Sequence, residues 1–201
     1  MRIVIALALV LAAGPVWALS PTETVQSRVD QALQSLGSAA PRGGAEAAEQ
    51  RRQEIRRATV ALFDFTEMSR RALGQHWTER TDAERTEFVR LFTELIARAY
   101  MGKLDRYAGE PVAWIGETVD GDAAQVQSRF VTTRGARVPV EYHLHRLDDR
   151  WAVYDIFVEN VSLVGTYRSQ FDRIIKTDSF AALLKRLRQK EQELSANLPS
   201  R

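Results

Sequence analysis

The spacing of apolar residues changes twice along this chain, and this change constrains the fold more than any other feature of the sequence. Up to about residue 107 the apolar positions recur at helical spacing. Between residues 112 and 158 they alternate with polar positions, which is typical of strands, and beyond residue 162 the helical spacing returns. This order predicts the α+β class. We expect the N- and C-terminal helices to pack on one face of a four-stranded antiparallel sheet.

Capping signals predict where the helices begin and end. Asp64, with Glu67 three residues later, forms a capping box, and Gly74 is expected to end the helix that follows. Thr81 with Glu84 forms a second capping box, which opens a long helix to about residue 107. Further helices are predicted over residues 22–36, over 46–62, from 162 and from 178, with a Gly-rich linker over 37–44.

Short polar turns divide the alternating stretch into four strands. They fall at residues 120–122, 134–135 and 148–149. Because turns this short connect antiparallel neighbours, the sheet is predicted to be a meander in chain order. The alternating strands have one polar face, whereas residues 151–158 are nearly all apolar, which predicts a last strand covered on both faces.

The first residues have the pattern of a signal peptide. A positively charged start precedes an apolar run from Ile3 to Ala13, and a small-residue cleavage site ends at Ala18. The apolar run is too short to span a bilayer, which takes about 20 apolar residues. We therefore expect export of the chain, removal of residues 1–18, and a single mature domain over residues 19–201.

Charge, cysteine content and motifs exclude several classes of protein. The chain holds 28 Lys and Arg against 26 Asp and Glu, a net charge of +2, and has no basic stripe that would bind nucleic acid. It has no cysteine, so disulfides, thiol catalysis and a lipid-modified cysteine are excluded. The sequence also lacks a nucleophile elbow, a P-loop and a dinucleotide-binding glycine motif. We predict that the protein is not an enzyme and has no cofactor.

Two groups of polar residues are candidates for chemistry. His143 and His145 lie two apart on one strand, but no third metal ligand is evident, and an exposed polar face is the favoured interpretation. Asp155 lies among apolar residues, and a buried carboxylate needs a partner. A structural ion pair with Arg168 is favoured over a catalytic acid or a contact with a ligand headgroup.

Several short motifs occur in an order that resembles one known family. They are Phe63-Asp64-Phe65, Ala72-Leu73-Gly74 with Trp77, Phe88 with Phe92, the series Tyr100, Leu104 and Tyr107, Tyr154-Asp155, Val161-Ser162-Leu163-Val164, and Tyr167-Arg168 with Gln170-Phe171. Their order and spacing, over about residues 46–194, resemble the MlaC family of periplasmic phospholipid carriers.

The resemblance implies a lipid-binding domain with diacyl phospholipid as its cargo. It implies a soluble, monomeric shuttle between an outer-membrane lipoprotein–porin complex and the MCE-domain subunit of an inner-membrane ABC transporter, which maintains outer-membrane lipid asymmetry. The acyl chains would lie in a cavity between sheet and helices. The residues expected to contact them are Phe65, Leu73, Phe88, Phe92, Ile96, Tyr100, Leu104, Val126, Phe130, Val140, Tyr142, Ile156, Val164, Tyr167 and Phe171.

One alternative function stays open at this point. An enzyme or small-ligand binder on a cone-shaped, NTF2-like α+β fold would use Asp155, Tyr154 or His143 in its cavity. A conventional solute-binding protein of an ABC transporter fits less well, because it needs two α/β lobes and this chain is too short for them. Lipid that stays bound through native purification would separate the carrier from the enzyme.

Overall fold

The chain folds into an α+β structure in which a run of strands separates two groups of helices, as the sequence predicts. The structure, a computed structural model, describes residues 19–37, 50, 53, 57, 60–104, 112–131 and 135–196, with the backbone alone at 35–37, 100–104 and 194–196. The helices are α1 (Pro21–Gly37), α2 (Phe65–Leu73), α3 (Asp82–Leu104), α4 (Leu163–Thr177) and α5 (Phe180–Ala196). The strands are β1 (Val112–Asp120), β2 (Ala123–Val131), β3 (Arg137–Leu147), β4 (Arg150–Val158) and β5 (Val161–Ser162).

Within the described residues, five strands form one antiparallel sheet in the order β1-β2-β3-β4-β5. Gly121 and Asp148 lie in two of the predicted turns and take positive φ angles of 56° and 52°, which suit tight hairpins. The sheet has one strand more than the four predicted. A turn in which Glu159 and Asn160 both have positive φ leads into β5. The sequence pattern does not predict β5, because two residues are too few to show the alternation of apolar and polar positions that is typical of a strand.

The predicted capping box forms completely at the start of α3 but only in part at the start of α2, where the Asp64 N–H donates to the Val153 carbonyl and the Glu67 carboxylate binds Arg70 and Arg71. The Asp64 carboxylate accepts a hydrogen bond from the Glu67 backbone N–H at 2.9 Å, and Gly74 follows the last residue of α2 with φ at 54°. Thr81 and Glu84 form a reciprocal box: the Thr81 N–H donates to the Glu84 carboxylate at 2.8 Å, and the Glu84 N–H donates to the Thr81 hydroxyl at 3.3 Å. Local sequence therefore determines where these two helices begin.

The buried side chains fall into two cores. The helical core joins α2, α3, α4 and α5, and Phe88 and Phe92 are completely buried in it. The sheet core joins one face of β2, β3 and β4 to Val25 of α1 and to Leu62. Phe63 packs against both cores. The two cores therefore meet just before α2.

The helices contact the sheet at two places rather than on one face only. α1 lies against β1 and β2. α2 and α4 contact β4, and α4 also contacts β5, while α3 and α5 pack mainly on other helices. Phe63 forms a parallel bridge with Val153, and the Asp64 N–H donates to the Val153 carbonyl at 2.9 Å. This bridge and β5 occupy the otherwise open edge of β4, and so bring the later helices to that edge of the sheet.

Some predictions fall outside the described part of the chain. They include the signal peptide over 1–18, residues 38–44 of the linker predicted over 37–44, and most of the helix predicted over 46–62. The described residues of that helix, 50, 53, 57 and 60–62, are helical. The helix predicted to reach about residue 107 is helical as far as Leu104, where its description ends. Among the described helices, none is both long and apolar enough to cross a membrane.

Candidate functional site

An apolar cavity of about 480 Å³ lies where the sheet core and the helical core meet. That volume falls within the range of small-molecule binding sites, roughly 300–1,000 Å³. The walls come from α1, the start of α2, α3, the sheet face and the junction of β5 with α4. The lining residues are Arg28, Val29, Ala32, Leu33, Leu62, Phe63, Phe65, Ile96, Ala97, Phe130, Val138, Val140, Tyr142, Ile156, Val158, Val161, Ser162, Leu163 and Thr166.

The sheet wall of the cavity is formed by paired side chains of β3 and β4. Val140 and Tyr142 lie two residues apart on β3 and therefore share one face. Their partners on β4 are Val158 and Ile156, which line the cavity too. These four side chains form a continuous apolar patch on the sheet wall of the cavity.

A β-bulge in β4 determines which of its side chains reach the cavity. His143 pairs with Asp155 and Leu144 pairs with Val153, so Tyr154 is an extra residue in β4. Strict alternation from Val153, which belongs to the sheet core, would turn Asp155 to the cavity face. The bulge turns Ile156 to that face instead. A carboxylate is thereby kept out of an apolar space.

Helices close the other sides of the cavity. α1 contributes Val29, Ala32 and Leu33, which follow the completely buried Val25 at helical spacing. α3 contributes Ile96, which is 6% exposed and belongs to the helical core as well. Ile96 therefore lies where the solid packing of the helices gives way to the cavity.

The cavity carries almost no charge. Tyr142 is 4% exposed, and burial raises the pKa of its phenol to about 12, although a hydrogen bond with Ser128 acts in the opposite direction. The phenol therefore stays neutral at physiological pH. Arg28, Ser162 and Thr166 are the other polar residues of the lining, and Arg28 is its one charged member. A lining of this kind favours an apolar ligand and leaves charge only at the rim.

The contact residues predicted from the sequence divide between the cavity and the two cores. Those that line the cavity are Phe65, Ile96, Phe130, Val140, Tyr142 and Ile156. Those that lie in or against the cores instead are Leu73, Phe88, Phe92, Val126, Val164, Tyr167 and Phe171. The side chains of Tyr100 and Leu104 lie outside the described part of the chain. Phe92 and Phe171 pack edge to face with ring centroids 5.5 Å apart, so aromatic periodicity alone does not separate core from lining.

The cavity also includes residues that the sequence prediction omits. The main omission is α1, although the helical spacing of Val25, Val29 and Leu33 is visible in the sequence. That spacing shows an apolar face but not what the face covers. The remaining omissions are Leu62, Phe63, Ala97, Val138, Val158, Val161, Ser162, Leu163 and Thr166.

The predicted ion pair between Asp155 and Arg168 is wrong. The Asp155 carboxylate, 8% exposed, accepts hydrogen bonds from the Ser162 hydroxyl at 2.6 Å and from the Ile156 and Val164 backbone N–H groups at 2.8 and 3.0 Å. The first turn of α4 presents two of these donors, and a helix N-terminus favours a negative charge. Asp155 therefore fastens the start of α4 to β4, while Arg168 is exposed.

The two histidines of β3 lie on the sheet face away from the cavity. His145 Nε2 is 3.1 Å from a carboxylate oxygen of Asp64, the residue that caps α2. His143 pairs with Glu141, and its ring stacks on Phe157 with centroids 4.4 Å apart. Among the described residues, no group of three or more His, Cys, Asp and Glu could hold a metal ion. These histidines therefore make contacts on the outer face of the sheet and near the start of α2.

The fold and the cavity together define a class of protein: an α+β protein that encloses an apolar binding site between a sheet and its helices. Asp155, Tyr154 and His143, which the enzyme alternative would use, do not line this site. The family model described as MlaC protein matches residues 26–189, and the chain belongs to the MlaC family.

The chain is also similar to a solved structure, over nearly the whole length of that structure. It is described as the phospholipid-binding protein from Ralstonia solanacearum in complex with a phospholipid. The two chains are 25% identical and superpose with a TM-score of 0.76, over 88% of this chain and 99% of the other.

Proposed function

We propose that this protein holds a diacyl phospholipid in the cavity and carries it through the periplasm. One observation carries the proposal. The cavity of about 480 Å³ has an apolar lining, in which Arg28 is the one charged residue. The family match and the phospholipid in the similar Ralstonia protein support it. The acyl chains occupy the interior and the headgroup lies at the rim.

The free energy of hydration explains why a carrier needs such a wall. Each methylene that leaves an apolar environment for water costs about 0.8 kcal/mol, so exposing two acyl chains of ordinary length costs on the order of 20 kcal/mol. A carrier must replace the apolar contacts of the membrane nearly one for one. The aliphatic and aromatic side chains of α1, α3 and the sheet supply contacts of this kind.

The wider role follows from the family. Residues 1–18 act as the signal peptide, and residues 19–201 form the mature, monomeric lipid-binding domain. The cargo passes between an outer-membrane lipoprotein–porin complex and the MCE-domain subunit of an inner-membrane ABC transporter. The exchange maintains the lipid asymmetry of the outer membrane.

Protein purified without detergent should carry diacyl phospholipid. It should discriminate little between headgroups, because the lining holds few polar groups that could bind a headgroup specifically. Organic extraction followed by mass spectrometry measures the bound lipid. A protein of similar size with no apolar cavity, purified in parallel, controls for lipid that adheres non-specifically. An extract with no lipid above this control would contradict the proposal.

Replacing His143 and His145 together by alanine should leave the bound lipid unchanged. Both side chains lie on the sheet face away from the cavity, and their partners are Glu141, Asp64 and neighbouring rings. Lipid content is measured by the same extraction, with thermal unfolding as the check on folding. A large loss of lipid in a double variant that still melts like the wild type would show that this face takes part in binding.

A further inference from the structure

The rim of the cavity contains one cation. Among the lining residues only Arg28, Val158, Val161 and Thr166 are exposed, and they mark where the cavity reaches the surface. Val161 is 62% exposed, so part of this rim is apolar surface in contact with solvent. Arg28 lies one helical turn before Ala32, a buried lining residue of α1. Arg28 is therefore an exposed, charged residue at the rim of an otherwise apolar lining.

The other polar groups at the rim are already engaged within the chain. The Ser162 hydroxyl donates to Asp155 and accepts from the Gly165 N–H at 2.7 Å. The Thr166 hydroxyl donates to the Ser162 carbonyl at 2.7 Å. Asp155 also accepts from the Val164 N–H, so the N-terminus of α4 is capped by a carboxylate and does not offer an anion site.

Arg28, by contrast, keeps most of its donors for a ligand. In the described part of the chain its guanidinium forms no ion pair with a carboxylate, and its one hydrogen bond runs to the Gln31 side chain at 3.4 Å. A guanidinium presents five N–H donors in a planar fork that matches the oxygens of a phosphate. Such pairs are frequently bidentate and stronger than hydrogen bonds between neutral groups.

We infer that Arg28 binds the phosphate of the carried phospholipid and is the residue that selects phosphate-bearing lipids. The inference rests on the proposed function, because it assigns Arg28 to the headgroup of the lipid that occupies the same cavity. Every glycerophospholipid carries this phosphate, whereas the alcohol beyond it varies. One guanidinium therefore discriminates against a lipid without phosphate, such as diacylglycerol, and tolerates different headgroup alcohols.

Lipid exchange with vesicles tests this assignment. Wild-type protein and three variants, Arg28→Glu, Arg28→Lys and Arg173→Glu, are incubated with vesicles of phosphatidylethanolamine, phosphatidylglycerol and diacylglycerol with identical acyl chains. Arg173 is an exposed arginine of α4 that does not line the cavity, so its reversal controls for the change in net charge. The protein is separated from the vesicles, and its lipids are extracted and quantified by mass spectrometry.

Arg28→Glu should lower the occupancy of both phospholipids by about fivefold and leave that of diacylglycerol unchanged. Arg28→Lys, which keeps the charge but loses the planar fork, should retain an amount of phospholipid between those of Arg28→Glu and the wild type, and Arg173→Glu should match the wild type. The inference is overturned if Arg28→Glu keeps wild-type phospholipid occupancy, or if it loses all three lipids in equal proportion. Wild-type protein that takes up none of the three would overturn the proposed function itself, and the inference with it.

Discussion

An Ile96→Asp variant should fold but lose at least about nine tenths of its bound lipid, a tenfold change that corresponds to about 1.4 kcal/mol. Ile96 is 6% exposed and lies between the helical core and the cavity. In the lipid-free protein, water in the cavity can hydrate the new carboxylate. An acyl chain in the same space would strip that water away and leave an unpaired charge among apolar groups, which is costly.

Two variants of the same helix serve as controls for this prediction. Ile96→Leu keeps the volume and the apolar character of the wall and should retain its lipid. Leu91→Asp places the carboxylate in solid core, because Leu91 is 1% exposed and does not line the cavity, and should destabilise the fold by more than about 4 kcal/mol. Thermal unfolding and lipid content are measured on the same preparations. An Ile96→Asp protein that melts normally and retains its full lipid content would show that Ile96 does not contact the bound lipid.

An Asp155→Ala variant should be destabilised by about 3 kcal/mol and melt about 10 °C lower than the wild type. The substitution removes a buried carboxylate that accepts from Ser162, Val164 and Ile156, and leaves these donors without their acceptor. Two of them belong to the junction that supplies lining residues of the cavity. Bound lipid should therefore decrease together with the melting temperature.

The comparison with two further variants identifies the cause of this loss. Asp155→Asn keeps one acceptor oxygen without the charge and should fall between the alanine variant and the wild type. Asp149→Ala removes an exposed carboxylate in the turn before β4 and should melt like the wild type. An Asp155→Ala protein that melts normally would show that the start of α4 is held by other contacts.

The elements that depend on local interactions can be predicted from the sequence. Asp64 with Glu67, and Thr81 with Glu84, cap their helices wherever these helices lie, because capping involves residues only three positions apart. Two turns with positive φ, at Gly121 and Asp148, likewise depend on neighbouring residues. The two changes of period were sufficient for the α+β class, and the order of the aromatic motifs was sufficient for the family.

Which apolar residues line the cavity depends on contacts between distant parts of the chain. The alternation of β4 is broken at Tyr154, and this bulge moves Ile156 to the cavity face and Asp155 away from it. A bulge depends on pairing with β3, and the sequence of β4 alone does not reveal it. In the same way, Phe92 packs in solid core and Ile96, one turn later on α3, reaches the cavity. Phe92 and Ile96 are both apolar and share the helical spacing of α3. Their environments differ because of where β3, β4 and α1 lie, and a local sequence pattern does not show this.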